Sequence, residues 1–182
     1  MARVKEWEIV DSRVDRDYRV FRIGASNSLS PRTNKVSEFY TIETNDWVNV
    51  IPLTEQGEVV MIKQYRHGSR QITLEIPGGL VDDELPEHAA VRELMEETGY
   101  CGDEARFLGS TNPNPAIFNN LCHTYLVKSA RKVADKNLDP NEDIETVLVP
   151  LSEVPSLLKT GAINHALVIV AFHFYFQKNP VL

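Results

Sequence analysis

Cysteine is scarce. Cys101 and Cys122 are the two in 182 residues, too few for the disulfide framework that staples a small secreted domain. The opening residues MARVKEWEIV contain no apolar run of the kind a secretory leader needs. A reducing cytoplasm is therefore the expected compartment. Long apolar runs are missing as well: the most apolar stretch, HALVIVAFHFYF at 165–176, carries His173 and falls short of the roughly 20 residues of a membrane span. No membrane partner is expected. Positive charge is in deficit, with 19 Lys and Arg against 26 Asp and Glu for a net charge of -7. The basic stripe that phosphate-backbone binding requires is not there, so nucleic acid is not an expected partner. Internal repeats and low-complexity tracts are also absent.

What is present suffices for a core. At 42% hydrophobic residues the chain is expected to form one domain, or one domain with a small appendage. From Glu6 to Val50 short alternating stretches (EWEIVDSRV, DYRVFRIGAS, EFYTIET, WVNVIPLT) are broken by Asp, Asn, Ser and Gly, which predicts an antiparallel meander. GEVVMIKQYRHG and ITLEIPGG predict two more strands, ARFLGSTN and LCHTYLVKSA a further pair around an irregular loop with Pro113 and Pro115, and IETVLVPL another. LSEVPSLLKTG and NHALVIVAFHFYFQ read as helices separated by Gly161. The packing this predicts is α/β: a mixed sheet with helices on its faces, and a small separate antiparallel sheet at the N-terminus. The division falls at residue 45, giving regions 1–45 and 46–182.

Between Gly78 and Tyr100 the sequence GGLVDDELPEHAAVRELMEETGY places seven carboxylates beside a single arginine, Arg92. Pro86 suits a first helical turn and Gly99 the left-handed residue that ends a helix, which predicts a helix over 86–98. At about 100° per residue Ala90, Val91, Leu94, Met95 and Thr98 gather on one side, and Glu93, Glu96 and Glu97 fall within an arc of about 100° on the other. Arg92 is expected to neutralise only one of the three. A solvated acidic face is one reading, but it predicts interleaved lysines and the helix has none. A divalent-cation site is the other, because hard oxygen ligands on a rigid element suit Mg²⁺ and the ion removes the repulsion. The helix alone leaves both open.

The spacing from Gly78 through Glu84, Arg92–Leu94 and Glu96–Glu97 to Gly99 and Tyr100 reads G-x5-E-x7-R-E-U-x-E-E-x-G-U, with U a bulky apolar residue. The chain thereby resembles the Nudix hydrolases, with Tyr100 in place of the usual aliphatic residue at the end. The resemblance implies an α/β/α sandwich in which the motif forms loop-helix-loop, and hydrolysis of a pyrophosphate joining a nucleoside to a second group. It implies that Glu93, Glu96 and Glu97 hold one to three Mg²⁺ ions, with Mn²⁺ as a possible substitute, and that a main-chain carbonyl of Gly78 or Gly79 takes part. Glu84 and Arg92 would brace the motif, Arg92 counting with the catalytic group. The base that takes a proton from water is either Glu93 or, as in the ADP-ribose pyrophosphatase branch, Glu142 in the loop DPNEDIETV. Asp139, Asp143 and Glu145 are fallbacks.

Within that branch the resemblance places Arg66, of KQYR, near the active site, with Glu75 nine residues on. A phosphate or sugar clamp and a plain cross-strand ion pair are equally weighted readings of these two residues. The N-terminal meander resembles the appended sheet through which that branch forms homodimers. Trp7, Tyr18, Phe21 and above all Trp47 could stack on a nucleobase, although core or dimer interface is the simpler reading of each. Asn119, Asn120 and His123 stand where strict ADP-ribose enzymes carry a glutamate, and are neutral groups suited to sugar hydroxyls. A broader nucleoside-diphosphate-sugar hydrolase, with ADP-ribose and ADP-glucose among its substrates, is expected. The rivals are a nucleoside triphosphate pyrophosphohydrolase and a non-catalytic nucleotide-sugar sensor. Sensors of that kind tend to lose motif carboxylates, and this chain keeps all of them.

Overall fold

The computed structural model describes residues 3–179; residues 1, 2 and 180–182, at the outer ends of the two expected regions, lie outside the described residues. The chain separates into two compact units. One comprises the residues up to Asn45 with Asn112–Asn120, the other Asp46–Thr111 with the residues from Leu121 onward. The segment 112–120, which a division at residue 45 assigns to the second region, clusters with the first because its backbone is tied to residues 42–45. Ile42 N–H donates to Ile117 O at 2.6 Å and Asn119 N–H to Ile42 O at 3.3 Å.

The first unit is a three-stranded antiparallel meander of β1 (Glu8–Asp17), β2 (Arg22–Leu29) and β3 (Val36–Glu43), in that order. The β1–β2 turn closes with Tyr18 N–H on Phe21 O at 2.9 Å. In the β2–β3 turn the Ser30 hydroxyl accepts the N–H groups of Arg32 and Thr33. Every residue of β1 is exposed. The meander ends at Glu43 and does not run on to Val50 as the alternating pattern suggests. β4 (Trp47–Pro52) belongs to the second unit, where it lies parallel to β9 (Cys122–Val127). Its run from Val48 to Pro52 is buried throughout, the mark of a strand covered on both faces.

In the second unit β4, β9 and β8 (Arg106–Thr111) form one three-stranded sheet, with β9 central. β5 (Glu58–Arg66) lies between β11 (Ile144–Pro150) and β6 (Gln71–Glu75) in an antiparallel second sheet. Two short strands, β7 (Tyr100–Cys101) and β10 (Arg131–Lys132), pair with each other; at two residues each they have no periodicity for a sequence reading to find. The β4–β9 strands serve two cores. Val48, Val50, Tyr125 and Val127 pack with Ala89, Ala90 and Leu94 of helix α1 (Pro86–Thr98). Ile51 and Leu126 join Met61, Phe172 and Ala171 in the other core, built on helix α3 (Ala166–Lys178) and flanked by α2 (Val154–Thr160). The helix-sheet-helix order is the expected α/β/α sandwich.

Helix α1 has the expected bounds. Pro86 occupies its first turn and Gly99 its C-terminal cap at φ 74°, with Gly99 N–H donating to Met95 O at 2.8 Å. A Cβ on Gly99 would also come within 2.1 Å of the Ala134 carbonyl oxygen, so backbone angle and close approach both require glycine there.

Candidate active site

The segment leading into α1 is laid along β4. Val48 N–H donates to Gly79 O at 2.9 Å, Gly79 N–H returns a bond to Val48 O at 3.1 Å, and Val50 N–H donates to Pro77 O at 2.9 Å. This ladder brings Gly78 and Gly79 against the glutamates of α1. Gly78 N–H donates to Glu97 Oε2 at 2.9 Å. A Cβ on Gly79 would collide with the Glu93 carboxylate at 2.3 Å, and one on Gly78 with the Val48 carbonyl oxygen at the same distance. The two glycines are thus required by a crowded carboxylate on one side and a strand on the other.

The acidic residues of α1 are not a solvated face. Glu97 is only 2% exposed and shares the buried surface of the helix with Ala89, Ala90, Leu94 and Thr98, while Val91 is exposed. The expected assignment of sides is corrected accordingly. The helical angles group the residues properly, but the arc that packs is centred near Ala90 and takes in Glu97. Burial pushes the Glu97 carboxyl up to about 8; Glu93 and Glu142 add to the shift, and the Gly78 N–H and Arg66 oppose it. Burial raises Glu93 too, against the pull of Arg92.

Arg92 does more than neutralise one carboxylate. Its Nε donates to Glu84 Oε1 at 2.8 Å, its Nη1 to Glu93 Oε1 at 2.8 Å and Glu96 Oε2 at 2.9 Å, and its Nη2 to Leu80 O at 3.1 Å. Planar forked geometry lets one guanidinium serve three acids and a carbonyl at once. Although burial opposes it, these bonds raise the guanidinium further above its ordinary value. Glu93 Oε2, Glu96 Oε1 and Glu97 Oε1 are outside these bonds. As the side chains stand, no three His, Cys, Asp or Glu groups among the described residues converge tightly enough to hold a metal ion. Arg92 draws Glu93 and Glu96 to itself. The donor set nonetheless fits a hard divalent cation: oxygens only, like-charged, partly buried and costly to leave uncompensated.

Arg66 and Glu75 form a bidentate pair, Nε to Oε1 and Nη2 to Oε2, each at 2.7 Å. The Thr73 hydroxyl donates to Glu75 Oε1 at 2.5 Å. Arg66 stands opposite Gln71 in the ladder and Glu75 opposite Ile62, so the pair reaches along one face over Thr73. Burial works against ionisation of Glu75, but the Arg66 bonds outweigh it and the carboxyl lies below its usual range. A cavity of about 390 Å³ adjoins this pair, lined by Trp47, Asn49, Arg66, Glu75, Gly78 and His165 among others. A second, of about 440 Å³, shares Arg66 and His165 and opens toward His67, Ser69 and Asn164.

Of the acidic loop before β11, it is Glu142 whose charge bears on Glu93, Glu97 and Arg66. Its own Oε2 accepts the Asp139 N–H at 3.0 Å. Glu145 pairs with Lys63 at 3.2 Å instead. Asn119 belongs to the first unit, where its Oδ1 accepts the Thr44 N–H at 3.1 Å, and Asn120 Nδ2 donates to Asn45 O. His123 sits between Ser110, 2.7 Å from its Nδ1, and Asp46, 3.0 Å from its Nε2. None of these three is among the side chains that line the cavity beside Gly78. Trp7 and Tyr18 pair with Phe39 and Phe21 inside the first unit. Two polar lining residues, Asn49 and His165, are not singled out by the sequence. Asn49 carries a signal, a carboxamide inside the otherwise apolar strand WVNVIP; His165 carries none beyond its place ahead of a helix.

Residues 44–172 match the NUDIX domain model. The chain is similar to the ADP-ribose pyrophosphatase of Bacillus subtilis (strain 168), with 29% identity over 136 residues, 74% of each chain. It is also similar to the ADP-sugar pyrophosphatase of Mus musculus, with 32% identity over 143 residues, 71% of this chain and 65% of that one. A crystal structure of an ADP compounds hydrolase superposes over 100% of both chains with a TM-score of 0.86 at 20% identity, a likeness of fold. Among the described residues no helix is long and apolar enough to cross a membrane. With the motif glutamates gathered around Arg92 and the domain match spanning most of its length, the chain belongs to the Nudix family, and a divalent-cation requirement goes with that membership.

Proposed function

We propose that this chain is a Mg²⁺-dependent pyrophosphatase that hydrolyses nucleoside diphosphate sugars, ADP-ribose and ADP-glucose among them, to a nucleoside monophosphate and a sugar phosphate. The observation that carries the reading is the partly buried group of Glu93, Glu96 and Glu97, each with one carboxylate oxygen outside the Arg92 and Gly78 bonds, beside a cavity bounded by Arg66. The activities named for the Bacillus subtilis and mouse relatives support the substrate class.

Glu93, Glu96, Glu97 and the Gly78 carbonyl would hold the cation, since the Gly79 carbonyl is already taken by Val48 N–H; Mn²⁺ would substitute for Mg²⁺ on the same oxygens. When bound, the ion supplies neutralisation of the diphosphate and acidification of a coordinated water. The rest falls to the chain. Arg92, fixed by Glu84 and Leu80 O, keeps Glu93 and Glu96 from moving apart. Arg66, locked on Glu75, presents its remaining N–H groups to a phosphate or sugar oxygen at a set position. Trp47, which lines the cavity, would pack against the substrate. Glu142 takes the proton from water on Oε1, its other oxygen being held by Asp139 N–H. Glu93 is the second candidate for the base, favoured by the burial that raises its proton affinity.

The same reading makes the protein a cytoplasmic homodimer joined through the sheet of residues 1–45. The apolar residues Ile9, Val10, Val14 and Phe39, all exposed on that sheet, support it. Initial rates on ADP-ribose, ADP-glucose and dGTP with Mg²⁺ test the function. AMP release from the two sugars, faster than cleavage of dGTP, is expected. Faster dGTP cleavage would replace the proposal with a triphosphate pyrophosphohydrolase, and binding of ADP-ribose without product would replace it with a sensor.

A further inference from the structure

We propose that Asn49 and His165 form a seat for the terminal sugar of the substrate, the ring joined to the phosphate remote from the nucleoside, and select for it through its hydroxyls. The inference rests on the pyrophosphatase reading and assigns residues to the group that is cleaved away.

Asn49 lies in β4 and is 6% exposed. Its Nδ2 donates to Leu167 O at 3.3 Å, which sets the orientation of the amide and leaves Oδ1 a buried acceptor with no hydrogen-bond partner among the described residues. His165 is half-buried, but its Nδ1 is a buried atom with no hydrogen-bond partner among the described residues, and its Nε2 lies 3.9 Å from Glu75 Oε2, beyond hydrogen-bonding distance. Both residues line the cavity beside Gly78. Two unsatisfied buried polar atoms, both on residues that line one cavity, are costly to the free protein and are explained if a ligand completes them.

Their position identifies the part of the ligand. Gly78 N–H holds Glu97, and a Cβ on Gly78 would come within 2.9 Å of Asn49 Cα. Asn49 is therefore one residue's width from the carboxylates that would face the diphosphate. A sugar joined to a phosphate reaches that distance, whereas a nucleobase stands a full ribose farther away. Of the two sugars so placed, the terminal one is the group that varies among nucleoside diphosphate sugars, and comparison with a methyl ester separates it from the nucleoside ribose. The chemistry fits a sugar. Trp47, Val48 and Leu80 supply apolar wall against which the C–H side of a sugar ring packs. A hydroxyl both donates and accepts, so it satisfies Asn49 Oδ1 and the imidazole nitrogen in either tautomer. Burial, the main influence on His165, disfavours its charged form, which suits a neutral partner.

The test compares kcat/KM for ADP-ribose with kcat/KM for the methyl ester of ADP, which keeps the nucleoside and diphosphate and replaces the terminal sugar by a methyl group. Wild type, Asn49→Leu and His165→Phe are measured with Mg²⁺. In each variant the preference for ADP-ribose over the methyl ester is expected to fall by about tenfold, the loss of one good hydrogen bond, and chiefly through KM. Should Asn49→Leu fail to fold, His165→Phe carries the same test. A preference unchanged in the folded variants, with both substrates slowed alike or neither slowed, overturns the inference and leaves the pyrophosphatase reading standing. A wild-type protein inert toward both substrates overturns that reading and the inference with it.

Discussion

Helix α1 and strand β1 are opposite solutions to placing a segment in a fold. In α1 an acidic residue, Glu97, is 2% exposed, and one arginine bridges three acids. In β1 every residue is exposed, and apolar Ile9, Val10 and Val14 have no cover within their own unit. The first region keeps charge where stability alone would place a hydrocarbon; the second leaves hydrocarbon where solubility alone would place charge. Each departure makes sense if something absent from the isolated chain completes it. Under the proposed function that is a cation and a diphosphate for α1, and a second copy of the sheet for β1.

Substitutions can break the comparison on either side. The largest effect is expected from Glu97→Gln. Turnover of ADP-ribose should fall by a hundredfold or more, since the lost ligand acts on the transition state, by roughly the several kcal/mol that metal stabilisation supplies. Above about pH 8, where the Glu97 carboxyl of the metal-free protein is ionised, the variant should melt higher than wild type, because the substitution removes a buried like charge; an unchanged rate would contradict the metal assignment. Glu142→Gln should lower kcat by about 100-fold, the lower range for loss of a general base, with cation affinity unaltered in a titration; a near-normal rate hands the role to Glu93. Arg92→Met strips three carboxylates of their shared partner and should cost about 3 kcal/mol in denaturant unfolding without added metal. Added Mg²⁺ should recover part of that loss.

A smaller effect is expected from pH. In metal-free protein the folded-state Glu97 carboxyl binds its proton up to about 8 against an ordinary 4.5. The folded state thus holds a proton that the unfolded chain has released, so stability is greatest below 4.5, declines as pH rises toward 8 and levels off beyond. Saturating Mg²⁺ should flatten that decline in thermal melts. The Glu75–Arg66 pair works in the opposite sense. Its depressed carboxyl contributes stability above the usual carboxylate range, lost only as the solution becomes strongly acid. The smallest effect belongs to β1: Val14→Ser should change folding stability by no more than about 0.5 kcal/mol, since the site is exposed. It should still shift sedimentation toward a slower species if the sheet joins two copies, and an unchanged profile would count against that interface.

Local chemistry made α1 legible in the sequence. Pro86 and Gly99 mark its ends and the glutamate spacing marks its role, all within 23 residues. Nonlocal packing was not legible. The pattern WVNVIP joins the N-terminal meander as readily as a parallel strand, and only the distant β9 decides that it pairs there. Helical angles show which residues share an arc but not which arc meets the sheet, so whether Glu97 faces solvent is decided only when Val48, Val50 and Tyr125 are placed against Ala90 and Leu94. The cavity is drawn from β4, the β5–β6 pair and the start of α3, segments far apart in sequence. Asn49 and His165 gain meaning only once those segments meet.

The account stands most directly on one titration: Mn²⁺ added to metal-free protein with ADP-ribose, followed by electron paramagnetic resonance of the ion while AMP is assayed in the same samples. Bound Mn²⁺ and AMP should appear together in wild type, and both should be sharply reduced in Glu97→Gln. AMP released at full rate in the presence of EDTA, or Mn²⁺ bound equally well without the Glu97 carboxylate, would contradict the claim that these buried acids are there to hold a cation against a diphosphate.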